Sequence, residues 1–338
     1  MKERAPRNRT IALSDQDENL LSHQLSTLNH KADKAELLNK VFNQDLFAVL
    51  PLMPEQFADL LILDPPYNLA KDFNGRSFQK LCFEEYTEWM ESWFTPLARI
   101  LKPSASIYVC GDWLTSASIY HVLANHFTIR NRITWEREKG RGAKTNWKNC
   151  SEDIWFATVG KDYCFNPDAV MLKRRVIAPY RVDGQPKDWK SENGTNYRIT
   201  HPSNFWSDIT VPFWSMPENT DHPTQKPEKL LAKLILASSR PGDVVVDPFL
   251  GSGTTAVVSK KLGRNFVGIE IDRTFSLLSL KRIAAAEEDK TIQGYSEGVF
   301  WERNTLAEQN RSKMESARPR TKSKRHVASN ETPALNLH

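Results

Sequence analysis

The sequence predicts an α/β fold, a sheet flanked by helices, from three observations. Short β-rich runs alternate with amphipathic helical stretches, no internal repeat interrupts them, and the β-α-β order resumes after residue 227 once an irregular stretch has passed.

Taken in order, Asp59 to Leu63 (DLLIL) reads as a buried strand because it is short, continuous and apolar. It stops at Asp64-Pro65-Pro66, where proline lacks the N–H that a ladder needs. Chemistry collects at such strand ends in α/β proteins. From Phe83 to Leu101, the residues Tyr86, Trp89, Met90, Trp93, Phe94, Leu97, Ile100 and Leu101 recur at three- and four-residue steps and define one buried helical face. The tryptophans are therefore read as core rather than as ligand platforms. Ser106 to Cys110, Arg130 to Trp135 and Asp153 to Val159 follow as strands, the last two separated by the basic stretch EREKGRGAKTNWKN, expected to be a mobile loop. From about Gly160 to Asp221 basic residues mix with aromatics without a clear period, which reads as an insertion between two halves of one domain. A helix beginning at Pro227, a strand at Asp243 to Val246, a helix after Gly253, a strand at Asn265 to Ile269 and a last helix to about Ala285 complete the pattern.

Composition bounds the function. With 40% hydrophobic and 26% charged residues over 338 positions, the chain is globular rather than collagenous or wholly disordered. No apolar run approaches the ~18 residues of a membrane span, and the opening MKERAPRNRT lacks the apolar stretch of a signal peptide. A soluble, cytoplasmic protein with no membrane partner is expected. Cys82, Cys110, Cys150 and Cys164 lie far apart with no CxxC pair, so neither a zinc cage nor a disulfide framework is predicted, and no metal. The net charge of +5 permits a polyanionic partner. Basic residues concentrate at the ends: Lys2, Arg4, Arg7 and Arg9 within an N-terminal arm (1–36), and Arg311 to Arg325 within an expected disordered tail (300–338).

Two segments carry chemistry. The first is Asp64-Pro65-Pro66-Tyr67-Asn68, a strand-terminating turn by composition. A DPPY tetrad nevertheless arises by chance in only about one chain per thousand of this size. It places a carboxylate, a rigid carbonyl and an aromatic face at the open end of a buried strand, which suits a flat base with an exocyclic amine. Asp64 accepts one hydrogen of that amine, the Pro65 carbonyl accepts the other, and Tyr67 stacks on the ring. Drawing both hydrogens away helps a conjugated nitrogen become tetrahedral and nucleophilic, with no metal required.

The second segment runs from Val244 through Asp247, Phe249, Gly251 and Gly253 to Thr254 and Thr255. It lacks the Gly-Lys-Ser/Thr of a phosphate loop, and Ala256 holds the place of the third glycine of a dinucleotide fingerprint, which disfavours nucleoside triphosphates and NAD. What remains is a strand-loop-helix that lets backbone approach a ligand and offers N–H donors to a small carboxylate. Glu270 closes the next strand, where an acidic group accepts from ribose hydroxyls. Ribose, adenine and an amino acid together make S-adenosylmethionine.

These two segments, with His222-Pro223-Thr224-Gln225-Lys226-Pro227 ahead of the second, resemble the β group of amino-methylating DNA methyltransferases, in which DPPY precedes the glycine segment. The resemblance covers roughly residues 37 to 290. It implies a Rossmann-like, S-adenosylmethionine-dependent methyltransferase fold with a mixed, mostly parallel sheet, helices on both faces and a circularly permuted motif order. It implies that Asp64, Pro65, Pro66 and Tyr67 hold the target amine. Asp45, Asp64, Thr224, Lys226, Asp247, Phe249, Gly251, Gly253, Thr254, Thr255 and Glu270 would bind the cofactor, Asp45 by a looser match because Gln44 stands where the family has Gly. His222 is read as a capping or core residue. The catalytic domain would comprise 37–160 and 222–290, with 161–221 as the target-recognition insertion.

The expected reaction is site-specific methylation of adenine N6 in flipped-out bases of double-stranded DNA. Cytosine N4 is the alternative, since both amines present the same two hydrogens, and a catalytically inactive nucleic-acid-binding protein of the same fold is a second one. Lys71, Arg76, Lys80 and the loop from Glu136 to Asn149 are candidates for phosphate contact. The resemblance admits a cognate restriction endonuclease in the same system, and a monomer or a homodimer.

Overall fold

The computed structural model describes residues 7–310 apart from 70, 74–75, 138–144, 146, 178, 193 and 307. Of the residues singled out above, Lys2, Arg4 and the stretch 311–325 lie outside the described residues, as does most of the basic loop, and nothing is described of the Lys71 and Arg76 side chains. The chain divides into a unit spanning 1–303 and a second, 304–338. In the second, residues 308–310 are helical and the Gln309 side-chain amide donates to the Thr305 hydroxyl at 2.9 Å.

The first unit is built on an eight-stranded sheet. Its strands in chain order are β1 (Lys40–Phe42), β2 (Ala58–Leu63), β3 (Leu101–Gly111), β4 (Thr128–Glu136), β5 (Ser151–Thr158), β6 (Phe205–Trp206), β7 (Val244–Asp247) and β8 (Asn265–Ile269). Across the sheet they run β1-β8-β7-β2-β3-β5-β4-β6. All neighbours are parallel except that β5 runs opposite to both β3 and β4, so the sheet is mixed and mostly parallel. The helices that cover it are α1 (Phe83–Ile100), α2 (Ser116–His126), α3 (Glu228–Ser238), α4 (Thr254–Lys261) and α5 (Arg273–Glu288).

Burial on both faces explains why β2 is a continuous apolar run. Leu61 and Leu63 point into one core with Ile107, Val246, Trp93 and Phe94, while Leu60 and Ile62 point into the other with Val245, Leu231, Leu234 and Ile235. Each such fully buried aliphatic side chain contributes about 1.5–3 kcal/mol. The register sets Val245 beside Leu60 and Val246 beside Leu61. From β2 the chain crosses by α1 to β3 on one side, and from β7 it crosses by α4 to β8 on the other. The direction of winding therefore reverses between β2 and β7, which is where open α/β sheets leave a crevice at their carboxyl ends.

Two segments differ from expectation. The N-terminal segment is not a free arm: Leu21, Leu28 and Ala32 are buried, and Ile11 N–H donates to Asn219 O at 2.8 Å. The stretch 161–221 is not wholly outside the catalytic sheet, because Phe205 and Trp206 pair with Thr134 and Trp135 as β6, burying Trp206. Nor is it irregular: Leu172–Arg175, Lys190–Glu192 and Thr195–Thr200 form a second sheet completed by Val299–Trp301 and Tyr295–Ser296. The insertion is tied to α3 by Lys229 and Lys233, whose ammonium groups each reach Asp208 at 2.7 Å. Among the described residues no helix is long and apolar enough to cross a membrane.

Gly253 caps α4 with φ +84°, and a Cβ there would lie 2.5 Å from Ser279 Cβ and 2.9 Å from Ser279 Cα. Adding the left-handed penalty to overpacking, Gly253→Ala is expected to cost about 2–4 kcal/mol, read as a lower urea midpoint with unchanged slope.

Candidate active site

The prolines after β2 turn the chain out of the sheet and leave Asp64 at the crevice. Lys226, from the segment before α3, reaches across to it: Nζ donates to Asp64 Oδ1 at 2.7 Å, to Oδ2 at 2.6 Å and to the Tyr67 hydroxyl at 3.1 Å. Tyr67 itself donates to Asp64 Oδ1 at 3.0 Å. Burial, with the Asp64 charge adding to it, pushes the Tyr67 phenol well above its ordinary value, so it remains a donor. The Tyr86 hydroxyl donates to the Pro66 carbonyl at 2.8 Å and pins the turn to α1. Among the described residues nothing donates to the Pro65 carbonyl.

On the other side of the crevice, Asp247 ends β7 and accepts from Phe249 N–H at 3.0 Å. The turn then passes through Gly251 at φ +55°, where a Cβ would sit 3.0 Å from His222 Nε2. Glu270, just past β8, spans two loops: its carboxylate accepts from Gly251 N–H at 2.7 Å and Asp272 N–H at 2.8 Å. His222 packs edge-on against Phe275 with ring centroids 4.3 Å apart, wedging the His-Pro-Thr-Gln-Lys-Pro segment under the glycine turn. The Thr254 hydroxyl donates to Lys226 O at 3.1 Å and joins the same segment to the start of α4.

These groups surround one cavity of about 390 Å³. Asp45, Asp64, Pro65, Pro66, Tyr67, Thr224, Lys226, Asp247, Phe249, Gly251, Thr254, Thr255 and Glu270 all line it, and Gly253 does not. Gly253 serves the close packing of α4 on α5 described above. Asp45 is exposed at the cavity mouth and caps a short helix by accepting from Phe47 N–H at 2.8 Å. Lys226, expected among the cofactor residues, bonds Asp64 and Tyr67 at the end of β2. Trp93 is core and wall at once, packing edge-on against Phe249 at 5.2 Å, and half-buried Trp89 lines the cavity with it.

Sequence reasoning missed several groups. Cys110, at the end of β3, lines the cavity with its thiol pushed up to about 12 by burial and the Asp64 charge. Glu152 on β5 lies with Oε2 3.5 Å from Lys226 Nζ and pairs with Arg137. No local motif marks either residue; only their strands' register brings them to the crevice. Asp272 stands two residues after Glu270 and was within reach of the same motif.

Asp247 and Glu270 share an electrostatic situation that Asp64 does not. Burial pushes Asp247 up to about 7 and raises Glu270 as well, and neither has a cation at ion-pair distance among the described residues. The folded state therefore favours protonated Asp247: the stability it contributes is full below the ordinary value of 3.8 and is lost as pH rises through about 7. Asp247→Asn removes that titration. The melting temperature of the variant minus that of the parent is expected to rise between about pH 6 and about pH 8.5, measured by calorimetry; a constant difference would refute the assignment.

Residues 58–281 match the model of the N6/N4 family, described as DNA methylase. The chain is 32% identical over 280 residues to DNA adenine methyltransferase YhdJ of Escherichia coli (strain K12), covering 79% of this chain and 92% of that one. It is 34% identical over 234 residues to type II methyltransferase M.HpaI of Haemophilus parainfluenzae, covering 68% and 69%. Among solved structures, the cytosine-N4-specific PvuII DNA methyltransferase superposes with a TM-score of 0.54 at 19% identity, over 76% of this chain and 88% of that one, a likeness of fold. With a family match across most of its length and the fold to go with it, the chain belongs to the amino-methylating N6/N4 DNA methyltransferases.

Proposed function

We propose that the chain transfers a methyl group from S-adenosylmethionine to the N6 amine of adenine in duplex DNA, with the target base turned out of the helix. The observation that carries this reading is the pair of acceptors at the end of β2: the Asp64 carboxylate beside a Pro65 carbonyl that nothing else in the described structure uses.

The cofactor fits the residues present. Asp247 is buried and Glu270 half-buried, both without a cationic partner among the described residues, and they suit a ligand that carries positive charge and ribose hydroxyls. Phe249, Trp93 and Ile269 offer apolar wall for a purine ring. When bound, S-adenosylmethionine supplies a methyl group made electrophilic by its sulfonium. Glu270 would hold the ribose, Asp247 the positively charged end, and Gly251 lets the backbone come close because any side chain would meet His222.

Asp64 and the Pro65 carbonyl each take one hydrogen of the amine and turn its lone pair toward the cofactor side. Asp64 would take the N–H proton that the amine loses on accepting the methyl group, and the cofactor's sulfur would keep the electron pair of the bond it gives up. An amine paired inside a duplex cannot meet acceptors recessed in this crevice, and unstacking one base costs a few kcal/mol. The relative named an adenine methyltransferase supports adenine over cytosine. The relative M.HpaI, named a type II methyltransferase, supports a DNA substrate and a restriction-modification setting. Residues 161–221, which supply three strands of the second sheet, are the proposed reader of the DNA sequence.

Asp64→Ala is expected to lower methyl transfer by on the order of a hundred- to a thousandfold or more while equilibrium dialysis still finds bound S-adenosylmethionine. Mass spectrometry of nucleosides from DNA treated with the parent enzyme should give N6-methyladenosine in its deoxy form. N4-methyldeoxycytidine would move the target to cytosine, and full activity of Asp64→Ala would remove Asp64 from the chemistry.

A further inference from the structure

An ammonium group has three hydrogens, and Lys226 directs all of them at the groups that must receive the substrate: Asp64 Oδ1, Asp64 Oδ2 and the Tyr67 hydroxyl. In this arrangement the carboxylate is already occupied. On its other flank Lys226 faces Glu152 of β5, whose side chain is 5% exposed. Glu152 Oε1 pairs with Arg137, whereas Oε2 lies 3.5 Å from Lys226 Nζ, at ion-pair distance but without hydrogen-bond geometry. Among the described residues Glu152 Oε2 has no hydrogen-bond partner. A buried carboxylate oxygen left without a donor is costly, and groups kept in that condition call for an explanation.

We infer that Glu152 is a second seat for the Lys226 ammonium: when an amine donates to Asp64, Lys226 transfers a hydrogen bond from Asp64 to Glu152 Oε2 and so frees the acceptor. This rests on the reading of Asp64 as amine acceptor. The positive charge never loses an anionic partner during the exchange, because the two carboxylates flank it at 2.6 Å and 3.5 Å. Arg137 keeps the far oxygen of Glu152 compensated, so the oxygen facing Lys226 stays available. Glu152 is thus a positioning residue that acts through Lys226. Without it the ammonium has no alternative partner and competes with the substrate for Asp64.

A two-residue cycle tests this, using the full chain, tritiated S-adenosylmethionine and long unmethylated genomic DNA. Glu152→Gln keeps the size of the side chain and removes its charge. It is expected to lower kcat 10- to 100-fold with the affinity for S-adenosylmethionine unchanged within twofold by equilibrium dialysis. Lys226→Met removes the competitor, and its own rate is the reference for the second substitution. In the Lys226→Met background, Glu152→Gln should then cost less than threefold, because its effect requires the ammonium. An equal loss in both backgrounds would make Glu152 a structural prop and overturn the inference. So would a Lys226→Met variant as inactive as Asp64→Ala, followed by single turnover over hours, since the ammonium would then be required rather than displaced. Should Asp64→Ala keep full activity, the acceptor reading fails by itself, whatever the cycle gives.

Discussion

The site depends on the parallel pairing of β2 with β7, two strands separated by more than half the chain. Their pairing sets two aspartates, one at the end of each strand, on the same edge of the sheet. Because the chain winds away from that seam in opposite directions, the loops that follow the two strands become facing walls. One wall carries the rigid Pro-Pro turn and the other the glycine turn. Rigidity on the first side and close backbone approach on the second are what the proposed transfer asks of them.

Charge divides the cavity in the same way. Asp64 is neutralised by Lys226 at 2.6 Å, whereas Asp247 and Glu270 are held by backbone N–H groups. Burial outweighs those backbone donors, and the Thr255 side chain that also bonds Asp247, and raises both of the latter carboxylates. The carboxylates without a cation at ion-pair distance, among the described residues, thus lie on the side of the glycine turn. The Tyr67 hydroxyl, a donor to Asp64 and an acceptor from Lys226, links the Pro-Pro turn to the segment that also carries Thr224 and His222.

Sequence reasoning reached what is local. The apolar run ending at Asp64, the glycine turn after Asp247 and the helical face from Tyr86 to Ile100 each follow from periodicity or from a residue's backbone preference over a few positions. It did not reach what depends on strand order. Glu152 meets Lys226 only because β5 inserts antiparallel between β3 and β4, and the 162 residues between Asp64 and Lys226 hide their ion pair. The second sheet was illegible for another reason. Lys190 to Glu192 is exposed throughout, Thr195 to Thr200 buries only Tyr197, and the strand that completes their core, Val299 to Trp301, lies about a hundred residues further on. Neither alternation nor proximity marks such strands. Tyr67 was expected to offer its ring alone, and its hydroxyl turns out to be committed to Asp64, a consequence of the tight turn that two consecutive prolines impose.

The large sheet ends on either side in very short strands, β1 with three residues and β6 with two. An edge of that length exposes too few free N–H and C=O groups to template a further strand, which is how natural sheets guard against sticking together. Self-association by continuing the ladder from one molecule into another is therefore disfavoured at both borders.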